Sequence, residues 1–288
     1  MPTPFTNQAT LSYSNLVTNS NVVSGTVQEV LSISKSAISG NYRQGDTVTY
    51  AVSIINSGNA AFNNLTLSDN LGAYASGTAA GTVTPLTFNT GSVVLYVNGT
   101  RQGTAPTASG TSPVTISGIN VPAGGNILLL YSATANQFAP QGASGGINNT
   151  VTLTGAGIST PVTATANTDA STTARLSVIK SLNPTTVVEN QPLTYTFTIQ
   201  NTGATATSVA DNVILTDVFD PKLTITSVTL DGVALTQTTD YNYDTGSGTF
   251  TTVANRITVP AATYEQNNTT GAWTITPGTA ILTVTGTI

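Results

Sequence analysis

Apolar and polar residues alternate with a period of two in many short stretches of this chain. The clearest examples have apolar residues at Val48, Tyr50, Val52 and Ile54, and again at Leu193, Tyr195, Phe197 and Ile199. Such alternation predicts strands with one buried face and one face in water. Gly, Pro and Asn turns separate about seven such strands in each half of the chain, which is typical of an Ig-like β-sandwich. We therefore predict an all-β fold.

Four sequence blocks occur twice in the same order. The pairs are Leu31–Lys35 with Leu176–Lys180, Asp46–Gly58 with Gln191–Gly203, Asn64–Asp69 with Asn212–Asp217, and Val121–Leu130 with Thr276–Val284. Repetition in one order indicates a tandem duplication. We expect two sandwich domains, at residues 29–155 and 174–288, joined by a linker at residues 156–173.

One strand pattern occurs outside this scheme, near the N-terminus. Residues 148–154 fit the last strand of the first domain, and they are repeated by Thr6, Asn7, Gln8, Ala9, Thr10, Leu11 and Ser12. The second domain shows no such copy, so we expect it to lack its final strand. An open sandwich exposes unpaired amide and carbonyl groups. We predict that residues 1–28, a donor strand and connector, close the second domain of another copy, head to tail.

Composition restricts the classes of function. Only 7% of the 288 residues are charged, the net charge is −5, and the chain contains neither Cys nor His. Nucleic acid and anionic membrane are unsuitable partners without a basic patch, and no apolar run is long enough to span a bilayer. Disulfides, thiolate or imidazole metal sites and most hydrolytic triads are excluded. We expect a structural protein rather than an enzyme, with no cofactor and no metal.

Three residue types recur at equivalent positions and could carry chemistry. They are Lys35, Asp69 and Asn149 for the first domain, and Lys180, Asp217 and the donated Asn7 for the second. Burial shifts a Lys towards its neutral, nucleophilic form and a carboxylic acid towards its proton-donating form. Held in contact, Lys and Asn would form an amide and release ammonia. The alternative is a structural Lys–Asp ion pair, with the Asn satisfying backbone groups at a strand end.

The ordered motifs resemble a repeat family of bacterial surface proteins that is catalogued as a conserved domain of unknown function. The resemblance rests on five features in a fixed order. They are the strand that carries the repeated Lys, the segment Gly45–Tyr50, the Asn-Ser/Thr-Gly turn, the Asp that ends the third repeated block, and the Asn-rich strand that closes the domain. The second domain departs from this pattern, with Asn190-Gln-Pro192 in place of Gly45-Asp46-Thr47. The resemblance implies an extracellular structural sandwich without catalysis on substrates. The Lys, Asp and Asn trio is similar to the one that forms isopeptide bonds in Gram-positive pilins and adhesins.

These observations predict a pilin-like fibre subunit on the surface of a cell or spore, with other copies of itself as its partner. Lys–Asn bonds would then lock the fibre. The alternative function is a surface adhesin or binding module whose loops contact a host or carbohydrate ligand. The missing strand favours the fibre, because an adhesin domain should be complete within its own chain. The N-terminus, Met1–Phe5, has neither the basic nor the apolar segment of a classical signal peptide.

Overall fold

The structure is a computed structural model that describes residues 3–77 and 79–288, with the side chains of residues 3 and 27 outside the description. Its regular structure consists of β-strands and one short 3₁₀ helix, Val209–Asp211. The prediction of an all-β fold is confirmed. Within the described ranges, no helix has the length and apolarity that a membrane crossing requires.

Residues 3–27 form an antiparallel arm, which we name the N-terminal hairpin. Its strands are β1 (Thr3–Asn7), β2 (Thr10–Tyr13), β3 (Leu16–Asn19) and β4 (Val23–Val27). β1 pairs with β4 and β2 pairs with β3. Ser14 and Asn15 both have positive φ and form the two-residue turn at the tip. This corrects two expectations: the donor strand at residues 6–12 is interrupted at Gln8–Ala9, and the expected connector forms a second arm.

The first domain is a sandwich of two sheets. Its strands are β5 (Leu31–Ala37), β6 (Thr47–Asn56), β7 (Phe62–Asp69), β8 (Tyr74–Ala75), β9 (Thr82–Val83), β10 (Leu86–Phe88), β11 (Val94–Val97), β12 (Thr100–Arg101), β13 (Thr107–Ser109), β14 (Val114–Val121), β15 (Asn126–Ala135), β16 (Gly146–Thr154) and β17 (Val162–Asp169). One sheet has the order β12-β11-β15-β6-β5, with β10 also on β15, and the other has β13-β14-β7-β16-β17. β8 and β9 form a separate ribbon. One continuous core of buried side chains joins the two sheets.

The segment expected as a linker, residues 156–173, contains β17. This strand pairs with β16 along its whole length and lies against β5 of the facing sheet. Its inward positions carry small residues, Val162, Ala164, Ala166 and Thr168, which is why the hydrophobic pattern alone did not indicate a strand. β17 therefore belongs to the first sandwich and covers β5.

The second domain repeats the first sheet but has a smaller second one. Its strands are β18 (Leu176–Asn183), β19 (Pro192–Asn201), β20 (Thr216–Val218), β21 (Thr224–Leu230), β22 (Val233–Ala234), β23 (Tyr241–Asp244), β24 (Thr249–Thr252), β25 (Thr263–Gln266), β26 (Trp273–Thr276) and β27 (Gly278–Thr287). The sheets have the orders β18-β19-β27-β21-β22 and β20-β24-β23, and β25 pairs with β26. The buried side chains form two clusters rather than one.

The duplication is visible in the hydrogen bonds of Asn56 and Asn201, which end β6 and β19. Each buried amide donates to two backbone carbonyls and accepts from the backbone N–H two residues further on, and Asn201 Oδ1 also accepts from the N–H of Arg175. The partners are Ala60, Pro122 and Gly58 for Asn56, and Thr205, Pro260 and Gly203 for Asn201. Pro260 thus stands where the first domain has Pro122. The sequence match of Pro122 with Pro277 is wrong, because residues 261–277 form an inserted hairpin.

The inserted hairpin contacts the first domain. Trp273 Nε1 and Gln266 Nε2 both donate to the hydroxyl of Tyr74, at 3.2 and 3.1 Å. The backbone N–H of Trp273 donates to the carbonyl of Gln137 at 2.8 Å. The insertion therefore braces the two domains against each other.

We expect Asn56→Ala to lower the free energy of unfolding of the first domain by about 3 kcal/mol, because three backbone groups lose the hydrogen-bond partner that the buried amide provides. Urea unfolding followed by fluorescence measures this loss. Asn63→Ala, at an exposed position of β7, is the matched control and should change stability by less than about 0.5 kcal/mol. Equal stability of the two variants would contradict the structural role of Asn56.

Candidate functional site

The two domains differ at one sheet edge. In the first domain, β7 pairs with β14 on one side and with β16 on the other, and β16 in turn pairs with β17. β20 takes the place of β7, since Asp217 follows the positive-φ residue Asn212 at the spacing at which Asp69 follows Asn64. Within residues 3–77 and 79–288, β20 pairs with β24 alone. The second domain is thus open over the width of two strands, not the one strand expected.

An apolar groove lies along this open edge. Leu176 and Val178 of β18 are 39% and 57% exposed, whereas the equivalent Leu31 and Ile33 are half-buried in the first domain, where β17 lies against β5. The groove has a volume of about 300 Å³, and its other lining residues include Ile199, Val213 and Leu215. The surface that β16 and β17 cover in the first domain is therefore apolar and uncovered in the second.

The structure brings Lys35, Asp69 and Asn149 together inside the first domain. Lys35 Nζ lies 3.1 Å from Asp69 Oδ2, and Asn149 Nδ2 lies 3.5 Å from the same oxygen. The side chains of Lys35 and Asp69 have no exposed surface. Burial lowers the pKa of Lys35 to about 8, although the charge and hydrogen bond of Asp69 act in the opposite direction. A neutral, nucleophilic amine is therefore accessible near neutral pH.

Two tyrosines that sequence reasoning missed complete this site. The Tyr131 hydroxyl donates to Asp69 Oδ2, and the ring of Tyr50 lies 4.5 Å from Lys35 Nζ. Burial raises the pKa of Tyr50 to about 12, and burial together with the charge of Asp69 raises the pKa of Tyr131 well above its ordinary value. The alternating pattern indicates that both rings are buried. It does not indicate that they face the Lys.

The second Lys–Asp pair lies beside the open edge, with Lys180 on β18 and Asp217 on β20. Lys180 Nζ is 2.5 Å from Asp217 Oδ2, and the two side chains are 40% and 19% exposed. The ring of Tyr195 lies 4.6 Å from Lys180 Nζ, as Tyr50 does beside Lys35. Asn7, the third member expected here, is exposed on the N-terminal hairpin and pairs with Val23. The described chain therefore assembles two of the three residues.

The N-terminal hairpin has the form of β16 and β17. Its first arm carries the sequence that resembles β16, and its second arm returns beside it as β17 does. The paired positions correspond, Leu11–Thr18 with Leu153–Val162 and Asn7–Val23 with Asn149–Ala166. In the first domain these positions face the core, whereas Leu11 is 62% exposed and Phe5 is 52% exposed. The hairpin is therefore an apolar arm without a covering surface in its own described chain.

No protein family model matches the chain, and no curated protein matches it. The C-terminal fragment of the major pilin GBS80 of Streptococcus agalactiae is similar over 57% of this chain and 63% of its own, at 12% identity and a TM-score of 0.35. The pilus backbone RrgB from Streptococcus pneumoniae is similar over 86% of this chain and 55% of its own, at 16% identity and a TM-score of 0.34.

A family 123 glycoside hydrolase from Clostridium perfringens is similar over 49% of this chain and 27% of its own, at 11% identity and a TM-score of 0.31. The chain thus spans less than two thirds of the length of each of these proteins. With TM-scores of 0.31 to 0.35, these similarities do not indicate a function.

In an Asn149→Ala variant, which keeps Lys35 as a free amine, we expect the free energy of unfolding to rise as the pH increases from about 8 towards 10. The folded state, with a Lys35 pKa of about 8 against the ordinary 10.5, binds fewer protons than the unfolded state in this range. Above about pH 10 the raised tyrosine pKa values act in the opposite direction. Urea unfolding at successive pH values measures the slope.

The control for this experiment is the double variant Asn149→Ala/Lys35→Met, which has no amine to titrate. It should lack the rise between pH 8 and 10. An identical slope in both variants would show that Lys35 does not titrate in the folded domain at this pH.

Proposed function

We propose that this protein is the subunit of an extracellular fibre, in which the N-terminal hairpin of one copy fills the open edge of the second domain of the next. The observation that carries the proposal is that the hairpin corresponds to the strands that the open edge lacks. The second domain is open over two strands beside β20, and the chain carries an exposed two-stranded hairpin that resembles β16 and β17. Such donation of β-structure satisfies backbone groups and places alternate side chains in a groove.

The chemistry of the two surfaces is complementary. The hairpin presents Phe5 and Leu11 on the side that corresponds to the core side of β16, and the groove presents Leu176, Val178 and Leu215. Burying such side chains contributes about 25 cal/mol per Å² of apolar surface removed from water. Apolar burial and main-chain pairing therefore favour the same complex.

The position of the hairpin prevents it from closing its own second domain. The hairpin joins β5 at Leu31, which pairs with Asn56 at one end of the first domain, while the second domain follows β17 at the other end. A ten-residue strand such as β6 spans about 33 Å. Residues 28–30, which connect the hairpin to β5, reach at most about 10 Å. The hairpin is therefore available to another copy.

Head-to-tail donation would continue the domain arrangement of the chain from one subunit to the next. In the chain, residues 170–175 connect β17 to β18. In the proposed joint, residues 28–30 of the donor connect its hairpin, in the position of β17, to its own first domain. Because the donating and accepting surfaces differ, the contact does not close on itself and produces a filament.

Two pairs of variants test the joint. Leu11→Asp should prevent filament formation, because it places a charge on the face that enters the groove, whereas Val17→Asp alters the opposite face of the same hairpin and should assemble normally. In the groove, Val178→Asp should prevent assembly and its neighbour Ile179→Asp should not. Both residues are 57% exposed, so neither change should unfold the free subunit. Electron microscopy and light scattering distinguish the outcomes.

Mixing the two assembly-deficient variants separates the two surfaces. Leu11→Asp keeps an intact groove and Val178→Asp keeps an intact hairpin, so an equimolar mixture should form a dimer and stop there. A wild-type chain that stays monomeric at high concentration, or a Leu11→Asp chain that still forms filaments, would overturn the proposal. The first result would favour the binding-module alternative.

We also propose that Lys35 and Asn149 form an amide within the first domain. The support is the contact of both side chains with Asp69 Oδ2 in a buried site, where a neutral product relieves the buried charges. Asn149 Oδ1 and the Tyr50 hydroxyl make no hydrogen bond of normal geometry in the part of the chain that the structure describes. Formation of the amide bond at this site would therefore remove an unfavourable arrangement of buried polar groups.

The intact mass of the unassembled Leu11→Asp chain tests this bond. We expect a mass lower than the sequence mass by one ammonia, and recovery of the full mass in Lys35→Arg, since a guanidinium is not a nucleophile at this pH. Lys222→Arg, at the exposed third lysine, should keep the lower mass. An unmodified mass in the parent chain would leave Lys35 and Asp69 as a buried ion pair.

A further inference from the structure

The two equivalent lysines differ in their exposure to water, and the hairpin would remove this difference. Lys35 has no exposed side-chain surface, while Lys180 is 40% exposed beside the uncovered edge. Both contact an Asp carboxylate and the ring of a Tyr. In the first domain β16 and β17 lie over this edge, and β16 carries Asn149. In the described chain, no such strands lie over Lys180.

The hairpin register places Asn7 at the position of this Asn. Asn149 lies two residues before Val151, which pairs with Asp69. Asn7 likewise lies two residues before Ala9. If the hairpin took the positions of β16 and β17 beside β20, Ala9 would pair with Asp217. Asn7 would then enter the pocket of Lys180, as Asn149 enters that of Lys35.

We infer that docking of the hairpin completes a reactive site made from two chains, in which Lys180 of the acceptor becomes joined to Asn7 of the donor. The inference rests on the proposed function, since it requires the donated hairpin. In the free subunit Lys180 is in contact with water. Asn7 is paired within the hairpin and does not lie beside Lys180. Docking supplies the reacting amide and excludes water, so the covalent bond forms only after the correct joint has formed.

The step balances without any other reactant. The Lys180 ammonium transfers one proton to the Asp217 carboxylate, and the neutral Nζ attacks Cγ of Asn7. The bond from Nζ to Cγ forms and the bond from Cγ to Nδ2 breaks. Asp217 carries a proton from the attacking nitrogen to the leaving one, which departs as ammonia. An ion pair is replaced by a neutral amide beside a neutral carboxyl group, and nothing is oxidised or reduced.

Electrophoresis of filaments boiled in detergent tests the inference. Wild-type filaments should give a ladder of covalent oligomers, and mass spectrometry of digested filaments should find one peptide that joins Lys180 to Asn7. Lys180→Arg keeps the positive charge beside Asp217, so it should still form filaments by electron microscopy, yet nearly all chains should run as monomer. Asn7→Ala should behave in the same way. Lys222→Arg is the control and should keep the ladder.

The dependence on docking has its own measurement. In the unassembled Leu11→Asp and Val178→Asp chains, Lys180 should react fully with an amine-acylating reagent, and in wild-type filaments it should be protected. Filaments that fall to monomer on boiling would overturn the covalent joint while leaving the fibre intact. A wild-type chain that forms no filaments would overturn both. A ladder that persists in Lys180→Arg would show that another residue forms the bond.

Discussion

An uncovered sheet edge is the constraint on which the rest of this molecule depends. Backbone groups at an edge and the apolar face beside it have to be covered by protein, or the sheet associates with whatever strand it meets. The first domain covers its edge with β16 and β17, and its core is continuous as a result. The second domain leaves β20 and β18 uncovered, while the matching hairpin extends from the far end of the chain. In the proposed fibre, completion of the fold and assembly of the filament are then a single event.

Burial of charge gives this edge its second role. A chain with 7% charged residues places two of its three lysines at equivalent positions beside an Asp. Where β16 and β17 cover the edge, the side chains of Lys35 and Asp69 have no contact with water, and desolvation disfavours the charged amine. Where the cover is absent, Lys180 keeps its contact with water. The same sequence feature is thus a buried pair in one domain and an accessible pair in the other.

Much of the fold follows from the sequence, because strands with a strong apolar alternation and an ordered repeat identify the two sandwiches. The site residues Lys35, Asp69 and Asn149 could be aligned for the same reason. The strand β17 could not be found in this way, since Ala164 and Ala166 are too small to produce a clear pattern. The contact of Tyr131 with Asp69 depends on the facing of two sheets. The order of residues within a single strand does not show which residues of the facing sheet they contact.

The two sites also differ in a way that suits their different partners. Tyr131 pairs with Tyr50 across β15 and β6, and the equivalent position beside Tyr195 is Val284. Asp69 is therefore held by a hydroxyl from its own domain, whereas the only side chain bonded to Asp217 in the described chain is Lys180. An Asp with several partners is fixed in place by its own domain. An Asp with one partner remains adjustable, which a site that receives its third residue from another molecule requires.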